Sequence, residues 1–215
     1  MRISILCSKG HPVTLFLKRW QKENSDLHSI ELVNAKHELL GGDILFLISC
    51  HEIIGLDIRS MYQKTLVIHA SDLPRGRGWS PLVWQILEGH NCITVSLLEA
   101  EDAVDSGKIW TQKKMYLEGH ELYNEINDQL FQIELDLLSF AVDNLQSIKP
   151  RQQEVSEATY YTRRNPGQSK LDTMKSIADQ FDLLRISDPQ RYPAFFDFAG
   201  HRYKIEISKI TIEEE

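Results

Sequence analysis

The chain has 215 residues, 42% of them hydrophobic and 26% charged, enough to bury one sizeable core beneath a polar surface. Its 24 Lys and Arg stand against 31 Asp and Glu, a net charge of −7, and neither half about Trp110 is basic. That balance disfavours a nucleic-acid backbone as partner, and no apolar run approaches the ~20 residues of a membrane span.

The N-terminus lacks the apolar stretch and small-residue cleavage site of a signal peptide. Cys7, Cys50 and Cys92 are too sparse for a disulfide frame or a zinc site, so reduced, buried thiols in a cytoplasmic protein are expected. Residues 2–7 read as a strand, closed by the turn of residues 8–12. From Val13 the apolar positions Val13, Leu17 and Trp20 recur at helical spacing. Residues 30–33 form a second short strand. Residues 43–50 (DILFLISC) are almost continuously apolar, as in a strand covered on both faces within a parallel sheet. Residues 65–69 form a strand ending on His69, residues 81–87 a helix, and the β-branched run 92–98 another strand. Strands alternating with helices predict a doubly wound α/β fold with a mostly parallel sheet.

Beyond residue 110 the texture changes. Leu122, Ile126, Leu130, Ile133, Leu137, Ala141 and Leu145 make one stripe of a long amphipathic helix, stopped at Lys149-Pro150. The chain therefore divides into residues 1–148 and an extension of residues 149–215. Within the extension, Asp172 reads as the N-cap of a helix carrying Ile177, Phe181 and Leu184. Ala199-Gly200 then reads as the turn of a hairpin between residues 195–198 and 201–207. That apolar hairpin makes a homodimer reasonable. A short acidic tail, Glu213 to Glu215, ends the sequence.

Chemistry concentrates in residues 66–110. Open α/β sheets bind ligands beyond the carboxyl ends of their strands, and His69 stands at such an end. A loop rich in Gly and Arg follows it, containing Arg75, Arg77 and Trp79, and Asp105 comes thirty-six residues after the histidine. A carboxylate meeting the imidazole across the crevice would orient it and raise its basicity, as a general base requires. The remaining histidines show no metal-ligand spacing, so no metal is expected.

His69-Ala70-Ser71-Asp72-Leu73-Pro74, then Arg75-Gly76-Arg77-Gly78, then Asp105-Ser106-Gly107 resemble the signature of formyltransferases that use N10-formyltetrahydrofolate. The wording of residues 74–81, with Thr159-Tyr160-Tyr161-Thr162-Arg163-Arg164-Asn165-Pro166 and Tyr192-Pro193-Ala194-Phe195-Phe196, is most similar to the branch acting on methionyl-tRNA and nucleotide-linked amino sugars. The likeness runs co-linearly over about three quarters of the chain. It implies a trimmed version of the family's dinucleotide-fold-like domain, short of one βα unit. It also implies N10-formyltetrahydrofolate as formyl donor and a primary amine as acceptor. His69 would then take the amine proton, or as imidazolium stabilise the oxyanion, with Asp105 orienting it. The folate would lie against Cys50, His51, Ile53, Ile54, Leu98 and Asp105.

Arg75 and Arg77 are placed by the same resemblance to meet substrate phosphates, though a solvated loop explains them equally well. Trp79 either stacks on substrate or packs. Tyr160, Tyr161 and Arg163 either bind nucleotide or seat the extension on the first domain. One departure bears on rate: the family's asparagine two residues before the histidine, an oxyanion donor, is Val67 here. Loss of one such donor costs ~10²–10³ in rate; His51 is the candidate replacement. Net acidity and length argue against tRNA as acceptor. The expected substrate is thus a UDP- or dTDP-linked 4-amino-4,6-dideoxy sugar for bacterial surface glycan. The alternatives are another small amine, a non-catalytic folate- or nucleotide-binding relative, and a hydrolase that releases formate.

Overall fold

Alternation along two central strands dictates the layering. In β1 (Arg2–Cys7), Ile3, Ile5 and Cys7 face one buried cluster while Leu6 faces another. In β3 (Gly42–Ile48), Ile44, Phe46 and Ile48 join the first cluster and Leu45 the second. Both faces are therefore covered, as the apolar run of residues 43–50 predicts. The computed structural model describes residues 1–210; the acidic tail Glu213 to Glu215 lies outside the described residues.

The six-stranded sheet has the order β2-β1-β3-β4-β6-β7, with β2 Ser29–Val33, β4 Tyr62–His69, β6 Cys92–Glu99 and β7 Ile109–Tyr116. The first four strands are parallel; β6 runs antiparallel to β4, and β7 antiparallel to β6. Helix α1 (Thr14–Asn24) links β1 to β2, and the single turn α2 (Leu56–Arg59) leads into β4. The order reverses between β1 and β3, which opens a crevice beyond their carboxyl ends. His69, last residue of the adjacent β4, borders it.

The stripe from Leu122 becomes α4 (Tyr123–Asn144), whose Ile126, Leu130, Leu137 and Ala141 are buried in the larger core cluster. No helix among the described residues is long and apolar enough to cross a membrane. Strand β7 is absent from the sequence reading because its pattern is mostly polar. Ile109, Trp110 and Met115 are buried, whereas Lys113 and Lys114 are exposed on the sheet edge, where lysines discourage pairing with another chain.

The extension is tied to the sheet domain by short elements. β5 (Arg77–Gly78) pairs in parallel with β8 (Tyr160–Tyr161), and α3 (Pro81–Leu87) follows β5 directly. The hairpin forms as β9 (Ala194–Phe198) and β10 (His201–Ile205), with Ala199 and Gly200 both at positive φ, 49° and 81°, the geometry of a two-residue turn. The expected cap at Asp172 is corrected. Its carboxylate accepts from the Met174 N–H at 2.9 Å in a local turn, and α5 starts later, at Phe181–Ile186. Arg185 on α5 is fully buried and binds Asp182 and Asn91 at 2.6 and 3.2 Å. The three cysteines are free; Cys7 is buried, and burial pushes its thiol up to about 11, but Cys92 is exposed rather than buried.

Glu134 is an exception inside the core. It is buried on α4, its Oε2 has no hydrogen-bond partner, and burial pushes its carboxyl up to about 8 from 4.5. Below 4.5 the group is protonated whether the chain is folded or not. As pH rises towards 8, the unfolded chain releases this proton and the folded chain keeps it. Glu134 therefore lowers stability with rising pH, by up to about 1.4 kcal/mol for each unit. Glu134→Gln is expected to remove that slope and to be more stable than the parent at pH 8. Denaturant titrations at pH 5, 6.5 and 8 measure this; a variant retaining the parental slope contradicts it.

Candidate active site

Strand alternation puts Val67 and His69 on one face of β4 at its carboxyl end, and only 7% of His69 is exposed. The His69 Nε2 lies 2.8 Å from the Gly76 carbonyl oxygen. A carbonyl only accepts, so Nε2 carries hydrogen and donates. On the other side of the ring, Nδ1 is 3.5 Å from the Asp105 Oδ2. The structure thus brings together the histidine and the aspartate thirty-six residues apart. A proton taken up by the ring lodges on Nδ1, against that carboxylate.

Two loops and the extension make this geometry. Asp105 sits between β6 and β7 in the left-handed region, φ 53°, and its Oδ2 accepts from the Gly78 N–H at 2.8 Å. Gly78 has φ +96°, and a Cβ there would lie 2.5 Å from the Tyr161 carbonyl oxygen. A Cβ on Gly107 would fall inside the van der Waals shell of the Glu99 carbonyl oxygen. Thr159 Oγ1 accepts from the Gly76 N–H at 2.8 Å, and the Arg77 and Trp79 N–H groups donate to the carbonyls of Thr159 and Tyr161. The loop whose carbonyl meets His69 is thereby held by the extension. In the sequence Thr159 stands out only as part of a motif, and Gln153 and the Gly76 carbonyl carry no signal, since a backbone oxygen has none and a linker glutamine is unremarkable.

Val67 packs against Leu73, Leu98 and Ile109, an apolar patch beside the imidazole with no donor. His51 accompanies Ser8, its Nδ1 2.8 Å from Ser8 Oγ, and stacks on Trp79 with ring centroids 6.0 Å apart and planes at 16°. Trp79 is partly exposed, and the Arg163 guanidinium lies 4.8 Å from its ring centroid. His51, Trp79 and Arg163 therefore form one aromatic and cationic cluster at the mouth of the crevice. Nearby His11 is pushed down to about 4 by burial, with Arg191 and His51 adding positive charge.

The remaining positions divide by exposure. Arg75 is exposed and paired with Glu157 at 2.9 Å. Arg77 is only 4% exposed; it donates to Gln153 Oε1 at 2.6 Å and to the Tyr160 hydroxyl at 3.2 Å, which leaves it little to offer a ligand. Tyr160 is exposed, whereas Tyr161 stacks on Trp84 and donates to Glu88 at 2.6 Å; burial and that carboxylate push its phenol above the usual range. Ile54 and Leu98 are buried, Cys50 half-buried, and Ile53 stands 80% exposed. No cluster that could hold a metal ion occurs among the described residues.

The fold is shared with solved structures, among them the following three. A methionyl-tRNA formyltransferase from Clostridium thermocellum superposes with a TM-score of 0.85 at 23% identity, covering 98% of this chain and 94% of that one. HypX from Aquifex aeolicus in complex with tetrahydrofolic acid gives 0.77 at 21%, covering 96% and 37%. A sugar N-formyltransferase from a Shewanella species gives 0.74 at 18%, covering 99% of each chain. In sequence, the methionyl-tRNA formyltransferase of Lachnospira eligens is 25% identical over 216 residues, covering 95% of this chain and 66% of that protein. The chain thus spans just under two thirds of that relative. The formyl transferase family profile matches residues 6–142, which contain the end of β1, all of β2 to β7, His69 and Asp105. With 137 of 215 residues so matched, the chain belongs to the formyl transferase family.

Proposed function

We propose that the chain transfers the formyl group of N10-formyltetrahydrofolate to the amino group of a nucleotide-linked amino deoxysugar, a UDP- or dTDP-4-amino-4,6-dideoxy sugar of bacterial surface-glycan synthesis. The observation that carries formyl transfer is the His69–Asp105 pair, 3.5 Å apart at the strand end that the family profile covers. The sugar-nucleotide acceptor is supported by the sugar N-formyltransferase that shares the fold from end to end. The net charge of −7, unsuited to a long polyanion, supports it as well.

When bound, the folate supplies the activated formyl carbon. The residues present fit such a group: exposed Ile53 and Leu56 offer apolar contact to a flat ring. Arg59, buried beside Asp102, has an Nη1 with no partner and can serve a polar ring atom. Cys50 and His51 lie on the β3 side and Asp105 on the other, while Ile54 and Leu98, buried in the neighbouring apolar clusters, back them from behind. The acceptor amine must be neutral to attack, and His69 is the base that takes its proton. The ring reaches the amine through Nε2 once the Gly76 carbonyl releases it and the ring hydrogen moves to Nδ1, where it donates to Asp105 and leaves Nε2 free to accept the proton. Asp105 holds the ring's orientation and balances the charge it acquires. Trp79, Arg163 and Tyr160, on the exposed side of the loop, are suited to a base and its phosphates. Arg75 can join them by exchanging Glu157 for phosphate. Arg77 and Tyr161 serve from behind, by shaping the loop.

Methionyl-tRNA is the second reading, favoured by the sequence relative of that name. An assay that follows tetrahydrofolate release with each acceptor decides between them. Formylation of the amino-sugar nucleotide alone is the expected result, and formylation of methionyl-tRNA alone selects the second reading. No release with either acceptor overturns both acceptor readings. His69→Ala is expected to lower kcat/KM by ~10²-fold or more, the usual worth of a positioned acid–base group; a parental rate would remove His69 from the chemistry.

Val67 supplies a gain-of-function test. Val67→Asn places an amide beside the histidine, and the expected rise in kcat is up to ~10²-fold, the scale of one oxyanion donor. An unchanged or lower kcat in a folded Val67→Asn protein means that another group already stabilises the oxyanion.

A further inference from the structure

Gln153 lies in the polar linker after α4, outside the segment matched by the family profile, yet only 8% of it is exposed. Its Nε2 donates to the Asp105 carbonyl at 2.9 Å and to the Gly107 carbonyl at 2.7 Å, while its Oε1 accepts from Arg77 Nη2 at 2.6 Å. The partners settle which way the amide points, because carbonyls only accept and a guanidinium only donates. Both amide hydrogens are used, and all three partners bear on one contact. Asp105 and Gly107 belong to the loop that presents the carboxylate. Arg77 precedes Gly78, whose N–H donates to that carboxylate.

Asp105 needs such a clamp. Its backbone is at φ 53°, a region that residues other than glycine keep only where their surroundings over-determine it. The linker is itself fixed next to β7, since the N–H and carbonyl of Arg151 pair with those of Ile109 at 2.8 Å each. We infer that Gln153 is a positioning residue that sets the Asp105 carboxylate against His69, so that the site is complete only when the linker is docked. This inference rests on the reading of His69 and Asp105 as the acid–base pair, and extends it to a residue that touches neither substrate nor His69.

The test is nitrogen-15 NMR of the His69 ring in the full chain, with Asp105→Asn as the reference for a lost carboxylate contact. Gln153→Met fills the same space without hydrogen bonds. It is expected to move the Nδ1 resonance in the direction that Asp105→Asn moves it. It is also expected to lower kcat about tenfold or more, with the KM for N10-formyltetrahydrofolate little changed, as loss of alignment does. An Nδ1 resonance at the parental position in folded Gln153→Met overturns the inference. If Gln153→Met does not fold, Gln153→Glu, which keeps an acceptor for Arg77 but removes both donors, is read by the same two outcomes. The NMR reading needs no turnover. A parent without formyl transfer would therefore count against the proposed function and leave the clamp to be judged by the resonance.

Discussion

The hydrogen bond from the Gly78 N–H to the Asp105 carboxylate joins two loops that the sheet alone leaves apart, and the site is built around it. One loop leaves β4 after His69; the other crosses from β6 to β7. Asp105 turns into the left-handed region to present its carboxylate, and the same Oδ2 stands 3.5 Å from the imidazole. Gly78 must lack a side chain for Tyr161 to lie against it, and Gly107 must lack one to pass Glu99. The missing Cβ at two glycines and the backbone constraint at one aspartate thus set a side-chain distance.

Charge follows the same division between scaffold and mouth. The chain is acidic overall, and several of its buried arginines are already engaged. Arg77 and Arg185 are buried in hydrogen bonds, and Arg59 pairs with Asp102. Burying a guanidinium is tolerable only with such partners, so these cations act as internal braces. Arg75 and Arg163 remain towards solvent, the first held by Glu157 and the second over Trp79. A local pair of cations beside stacked aromatic rings is enough for a small phosphorylated ligand even where the overall charge is negative.

How much of this was legible in the sequence depended on the range of the interaction that sets it. The strand of residues 43–50 is apolar because both its faces are covered, and the stripe from Leu122 to Leu145 repeats because one helix face meets the sheet. Ala199-Gly200 announces its hairpin locally. The proximity of His69 and Asp105 was suggested by motif wording and spacing, which carry the history of a fold rather than its physics. β7 hid behind an edge-strand pattern of lysines, and β5 with β8 is too short to pattern at all. Asp172 was misread because a carboxylate that caps a turn looks the same in sequence as one that caps a helix. Gln153 could not have been found, since its three partners lie 46 to 76 residues away.

The central claim is that His69, oriented by Asp105, faces the transferring group. The most direct measurement is a crystal structure with tetrahydrofolate bound. The account predicts N10 of the folate within hydrogen-bond reach of the His69 ring, Asp105 still against Nδ1, and the Gly76 carbonyl no longer on Nε2. A folate bound away from β4, with His69 still closed between Gly76 and Asp105, would contradict it.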